Sequence, residues 1–191
     1  FSRFLSMVFV TLFVLLLATT YLGFMLYLCL GVILMRRDSQ LSEAKPFVSV
    51  VVPLHNEEEY AQKTLECLAS QDYTGQLQVI CVNDRSTDRT ESIVQDFVKN
   101  HEHFEYVSIT LDSVPVASPK KRALENGFRI ANGEIFMTMD ADCEPPVAWV
   151  SSMVSQFVEG IDIVQGPKRI IPKSQNILQR FQQIDTLGFT L

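Results

Sequence analysis

From Phe4 to Met35 the chain runs 32 residues without a charge and is rich in Leu, Val and Phe. A helix needs only about 20 apolar residues to cross the hydrocarbon core of a bilayer. The pattern therefore predicts one transmembrane helix over residues 4–35, with length to spare for tilt or an interfacial end. A secretory leader would carry a shorter apolar stretch of about 7 to 15 residues and a small-residue cleavage site. Arg36 and Arg37 follow at once, and basic residues beside a membrane end favour the cytoplasmic side. Residues 36–46 form a polar linker ending in Pro46, a boundary signal, and the folded domain is expected over 47–191.

Beyond Pro46 the pattern changes to short apolar runs alternating with helical periods. Phe47 to Leu54 is β-branched and apolar on both faces, as in a strand covered by helices on each side. Asn56 is placed to cap the helix that follows, with Glu57, Glu58 and Glu59 in its first turn, where the dipole favours anions, and Tyr60, Thr64, Leu65 and Leu68 at helical spacing. Leu77 to Val82 reads as a second strand, and Thr90 to Asn100 as a helix preceded by Ser86, Thr87 and Asp88 as capping residues. Phe104 to Leu111 reads as a third strand, and Ser118 to Ala131 as a helix with Ala123, Leu124, Phe128 and Ile130 apolar. Glu134 to Met139 gives a fourth strand, a helix follows with Trp149, Val150, Met153, Val154 and Phe157, and Ile161 to Gln165 gives a fifth strand. Gln175 to Leu191 reads as a further helix with Ile177, Phe181, Ile184 and Leu187 apolar, in which Asp185 has no motif around it. Strands alternating with helices imply βαβ units and a mostly parallel sheet, an α/β fold.

Charge narrows the partners. Of 16 Lys plus Arg only Arg3 precedes Arg36, leaving 15 against 22 Asp plus Glu in the remainder. An acidic domain without a concentrated basic face is a poor nucleic-acid binder. Cys29, Cys67, Cys81 and Cys143 form no C-x-x-C pair and have no His at ligand spacing, so neither zinc nor disulfides are expected. Cys29 and Cys81 lie in apolar runs, as small buried hydrophobes would.

In parallel sheets ligands bind at the carboxyl ends of the strands. Three polar clusters fall there: His55-Asn56-Glu57, Asn83-Asp84, and Asp140 with Asp142. Two carboxylates spaced as D-x-D repel each other unless a cation lies between them and a phosphate; Mg²⁺ and Mn²⁺ are commonly held by one or two carboxylates plus phosphate oxygens. Asp84 precedes the residues that cap the next helix, so capping does not require it, and its carboxylate could accept from a base or a ribose hydroxyl. Lys120 and Lys121 open a helix whose dipole disfavours them, which suits a phosphate grip.

The stretches VSVVVPLHNEEEY (Val48 to Tyr60), VNDRSTDRT (Val82 to Thr90), KKRALENGFRIANGEIFMTMDADCEP (Lys120 to Pro145) and GIDIVQGP (Gly160 to Pro167) resemble the family 2 glycosyltransferases of GT-A fold, the group of cellulose, chitin and hyaluronan synthases. The resemblance implies a Rossmann-like nucleotide-sugar domain. In it Pro53, His55, Asn56 and Glu57 line the nucleotide pocket, with His55 where the family more often has Tyr or Phe. It implies that Asp84 holds the base, that Lys120 or Lys121 lies near the phosphates, and that Asp140 and Asp142 serve a divalent cation, Mn or Mg, Asp142 most directly. The implied reaction is inverting transfer from a nucleotide-diphosphate sugar, taken as a UDP-sugar, to a hydroxyl on a carbohydrate or lipid acceptor at the membrane, in polysaccharide, glycolipid or cell-envelope synthesis. The family's general base belongs to a later acidic motif, expected beyond Leu191, which makes these residues the donor-binding half. The alternative is a non-catalytic, membrane-tethered nucleotide-binding domain.

Overall fold

A computed structural model describes residues 2–35, 41–109 and 118–170 of the chain. These residues fall into two units, one containing the N-terminal helix and the other spanning Leu41–Val164. Arg36, Arg37 and the segment Gln175 to Leu191, with Ile177, Phe181, Ile184, Asp185 and Leu187, lie outside the described residues.

The first helix, α1 (Ser2–Met35), is continuous. Its stretch Ser6–Gly31 is long and apolar enough to cross a membrane, and no part of it is buried against protein. Cys29 is exposed on it, so the burial expected from its apolar neighbours is not supplied by protein. Ser6, Thr11, Thr19 and Thr20 turn their hydroxyls back onto carbonyls three or four residues earlier, so these four hydroxyls are satisfied within the helix.

The second unit carries strands β1 (Val48–Leu54), β2 (Leu77–Asp84), β3 (Phe104–Ile109) and β4 (Ile135–Thr138), and helices α2 (Ala61–Ala69), α3 (Thr90–Val98), α4 (Pro119–Ile130) and α5 (Trp149–Val154). The strands form one parallel sheet in the order β3-β2-β1-β4. Register fixes a common edge: Leu54 pairs with Asn83, and Val51 with Thr138, so the chain leaves β1, β2 and β4 on the same side.

Strand alternation splits β1 between two layers. Val48, Val50, Val52 and Leu54 pack with Leu65, Leu68, Val94, Phe97 and Val150, so α2, α3 and α5 cover that face. Val51 packs with Ile80, Val82 and Ala123, which places α4 on the other. Four valines of β1 are fully buried, each contributing roughly 1.5 to 3 kcal/mol of transfer free energy.

Several expectations are corrected. Helix α2 starts at Ala61 with Tyr60 as its N-cap, and Glu57, Glu58 and Glu59 precede it. Asn56 is not the cap: it adopts a left-handed backbone with φ of 56°, a conformation Asn tolerates better than most residues, and its side chain is used elsewhere. In α4 the buried side is Arg122, Ala123 and Gly127, whereas Phe128 and Ile130 are exposed. The reason is close approach: a Cβ on Gly127 would lie 2.4 Å from Val51 Cγ1, so the helix seats its small-residue side and leaves Phe128 to pack edge-on against Phe136 of β4. Residues 161–165 are irregular rather than a fifth strand. A strand requires a ladder partner, the run has none among the described residues, and Ile163 is 88 % exposed.

Candidate functional site

The loops leaving β1 and β2 are laced together before they meet any ligand. Asn56 donates its amide to Ser86 Oγ at 3.0 Å and accepts the Thr87 amide on Oδ1 at 2.8 Å. Glu57 donates its amide to Thr90 Oγ1, and Glu58 donates to Asp88 Oδ2. Asp88 also accepts the Thr90 amide at 3.0 Å, so it alone of the three expected capping residues serves α3, while Ser86 and Thr87 brace the neighbouring loop. Burial works against ionisation, but the Thr90 hydroxyl at 2.6 Å and then the backbone amides outweigh it and hold Asp88 below the usual carboxylate range.

His55 Nδ1 lies 2.6 Å from the Asp84 carbonyl oxygen. A carbonyl only accepts, so Nδ1 carries the hydrogen and Nε2 is left as the acceptor. Asp84 ends β2, is 2 % exposed, and receives Arg122 Nη2 on both carboxylate oxygens at 2.9 and 2.8 Å and Arg85 Nε at 2.9 Å. Arg85 follows in a left-handed backbone, φ 58°, which a non-glycine residue adopts at a cost.

A cavity of about 470 Å³ opens at the strand ends, lined by Pro53, His55, Glu57, Asp84, Lys120, Asp140 and Asp142, with Leu54, Ser118, Pro119, Ala123 and Ala141 between them. Thus seven of the nine residues singled out in the sequence share one cavity. Asn56 and Lys121 do not line it: Asn56 braces the β2 loop, and Lys121 is exposed on α4. Lys120 is ion-paired with Asp140.

The cavity is dominated by negative charge. Burial first, then Asp142, Asp88 and Asp140, push the Glu57 carboxyl above its usual 4.5, with His55 opposing. Glu57 thus lies within electrostatic reach of both Asp140 and Asp142. Among the described residues no group of three or more His, Cys, Asp or Glu side chains is arranged to hold a metal ion. The donor set fits a cation shared with a diphosphate, which needs only one or two carboxylates from the protein, and does not fit an all-protein cage.

Arg122 was given no role in the sequence, where it stands only within the stretch Lys120 to Pro145. The available signal was its position beside Ala123 and five residues before Gly127, on the side of α4 that can approach the sheet. The cysteines are all free, and Cys81 is fully buried with its thiol pushed up to about 12 by desolvation.

Comparison with known proteins follows the same lines. The chain is 34% identical over 148 residues to the probable glycosyltransferase YdaM of Bacillus subtilis, covering 75% of this chain and 34% of that protein. It is 32% identical over 140 residues to the poly-beta-1,6-N-acetyl-D-glucosamine synthase of Staphylococcus epidermidis, covering 72% and 32%. It thus spans about a third of the length of these curated relatives. Among solved structures it is similar to the mannosyltransferase PcManGT from Pyrobaculum calidifontis in complex with GDP-Man and Mn²⁺, with a TM-score of 0.53 at 29% identity, covering 64% of this chain and 36% of that one. The parallel sheet with helices on both faces is the GT-A fold. The glycosyl transferase family 2 profile matches residues 49–189, and the chain belongs to that family.

Proposed function

We propose that the cavity binds the nucleotide-diphosphate portion of a sugar donor, and that the protein transfers the sugar with inversion to a hydroxyl of a carbohydrate or lipid acceptor at the membrane. The observation that carries this reading is the convergence of His55, Glu57, Asp84, Lys120, Asp140 and Asp142 from four separate segments on one cavity. Pro53 and His55 form one wall for the nucleoside, and Asp84, its two oxygens held by Arg122, presents a fixed acceptor for a base or ribose donor. Lys120 supplies a cation for a phosphate oxygen, exchanging its Asp140 partner for the ligand.

A divalent cation held by Asp140 and Asp142 would neutralise the charge of the departing diphosphate. The similar mannosyltransferase, solved with GDP-Man and Mn²⁺, supports both the donor class and the cation. The donor is taken as a UDP-sugar, with GDP-sugars as the competing class. The helix α1, with Arg36 and Arg37 after it, is assigned to the membrane, the domain from residue 47 lying on the cytoplasmic side. Turnover by the full-length protein in detergent, across a panel of UDP- and GDP-sugars with Mn²⁺, tests the proposal. Sugar transfer from one donor class is expected; nucleotide binding with no turnover on any donor would favour a non-catalytic nucleotide-binding domain.

A further inference from the structure

The loop that carries Asp140 and Asp142 is held from beneath by a residue with no assigned role. Thr64, in the second turn of α2, is 2 % exposed. Its Oγ1 donates to the Ala141 carbonyl at 2.7 Å and lies 3.0 Å from the Cys143 carbonyl, one hydroxyl hydrogen shared by two acceptors. A threonine inside a helix ordinarily returns its hydroxyl to a carbonyl one turn back. Here the Thr64 amide makes its ordinary helical bond to the Tyr60 carbonyl at 3.0 Å, while the hydroxyl reaches across to the far loop.

Three carbonyls of that loop are engaged. Asp140 O accepts the Cys143 amide at 3.2 Å, closing a turn, and Ala141 O and Cys143 O both face Thr64. Ala141 itself is 3 % exposed and belongs to the core. The middle residue of D-x-D is therefore the plug, and the two carboxylates flanking it are left on the cavity side, Asp142 exposed and Asp140 half-exposed.

We propose that Thr64 is a positioning residue for the cation-binding carboxylates: its hydroxyl sets the orientation of the Asp140–Cys143 turn and so the direction of the Asp142 and Asp140 side chains. This rests on the donor-binding reading of the cavity. Residues that orient metal ligands without touching the metal commonly alter metal affinity by roughly 10- to 100-fold when replaced. Thr64→Val keeps the shape and removes the donor, whereas Thr64→Ser keeps the donor and removes the methyl.

The test titrates Mn²⁺ into the full-length protein by calorimetry at saturating UDP, or GDP if that binds the wild type more tightly, and separately titrates the nucleotide without metal. Thr64→Val is expected to weaken Mn²⁺ binding about tenfold with metal-free nucleotide affinity unchanged, and Thr64→Ser to restore it. A folded Thr64→Val protein with wild-type Mn²⁺ affinity overturns the inference. If Thr64→Val does not fold, Thr64→Ala against Thr64→Ser decides, and equal Mn²⁺ affinity in those two overturns it. Asp142→Ala separates the two claims: loss of Mn²⁺ binding there with none in Thr64→Val sinks only the positioning role, whereas wild-type binding in Asp142→Ala sinks the cation site itself.

Discussion

Replacing Arg122 by Met should destabilise the domain far more than a surface arginine would. Arg122 and Asp84 side chains are 9 % and 3 % exposed, and Arg122 Nη2 lies within 2.9 Å of both Asp84 oxygens. Removing one partner of a buried pair leaves the other charge desolvated, at a cost of about 3 to 5 kcal/mol. Arg85 still reaches Asp84 Oδ1 at 2.9 Å and compensates part of the stranded charge, although its own 38 % exposure limits that relief, so the expected loss is at the low end, about 3 kcal/mol. For a domain of this size that corresponds to a fall in Tm of roughly 10 °C. Asp84→Asn should cost a similar amount, because it strands the buried guanidinium. In the double variant neither charge remains, so the losses should fall short of the sum by about 2 kcal/mol. Thermal unfolding followed by circular dichroism on wild type, both single variants and the double variant gives the coupling directly. A loss under about 1 kcal/mol in Arg122→Met, or strict additivity in the double variant, would refute the argument that the pair is a buried, mutually dependent unit.

Glu57→Gln should raise Tm at pH 7 in metal-free buffer. The folded Glu57 carboxyl binds its proton more tightly than the usual 4.5, so its favourable contribution is complete below that value and is lost as pH rises through the raised folded value; the gain in the variant should vanish near pH 4, and a gain independent of pH would contradict the charge-repulsion account. Gly127→Val should lower stability and weaken nucleotide binding together, because a side chain 2.4 Å from Val51 Cγ1 pushes away the helix that carries Lys120 and Arg122. Overpacking of this kind costs about 1 to 3 kcal/mol, and an unchanged Tm would mean that α4 is not closely seated. Cys81 should resist alkylation at pH 8.5 in the native protein and react on unfolding, as mass spectrometry of trapped thiols would record, since burial holds its thiol at about 12.

Four of the five expected strands were legible in the sequence as short apolar runs, β1 most clearly because it is apolar on both faces, as in a strand covered by helices on each side. The strand ends then placed the polar clusters at one edge, and seven of the nine residues named in advance line the cavity. What escaped were effects of approach and lacing. Asn56 looked like a cap because its residue type suits one, yet the left-handed turn after β1 directs it to Thr87. Phe128 and Ile130 looked like the core face of α4 because of their apolarity, while Gly127 decided which side could reach Val51. Arg122 was hidden by its basic neighbours, and Thr64 by its ordinary place on a buried helical face. Ile161 to Gln165 carried strand-forming residues, but strand formation depends on a partner that periodicity does not reveal.

Donor binding by the cavity is tested most directly by Mn²⁺-dependent binding of a nucleoside diphosphate. Calorimetric titration of UDP and GDP into the full-length protein, with and without Mn²⁺, should show tighter binding with the metal for one of them, and the metal dependence should disappear in Asp142→Ala. Nucleotide affinity that is indifferent to Mn²⁺ in the wild type, or equally Mn²⁺-dependent in Asp142→Ala, would contradict the assignment of the D-x-D carboxylates to the cation.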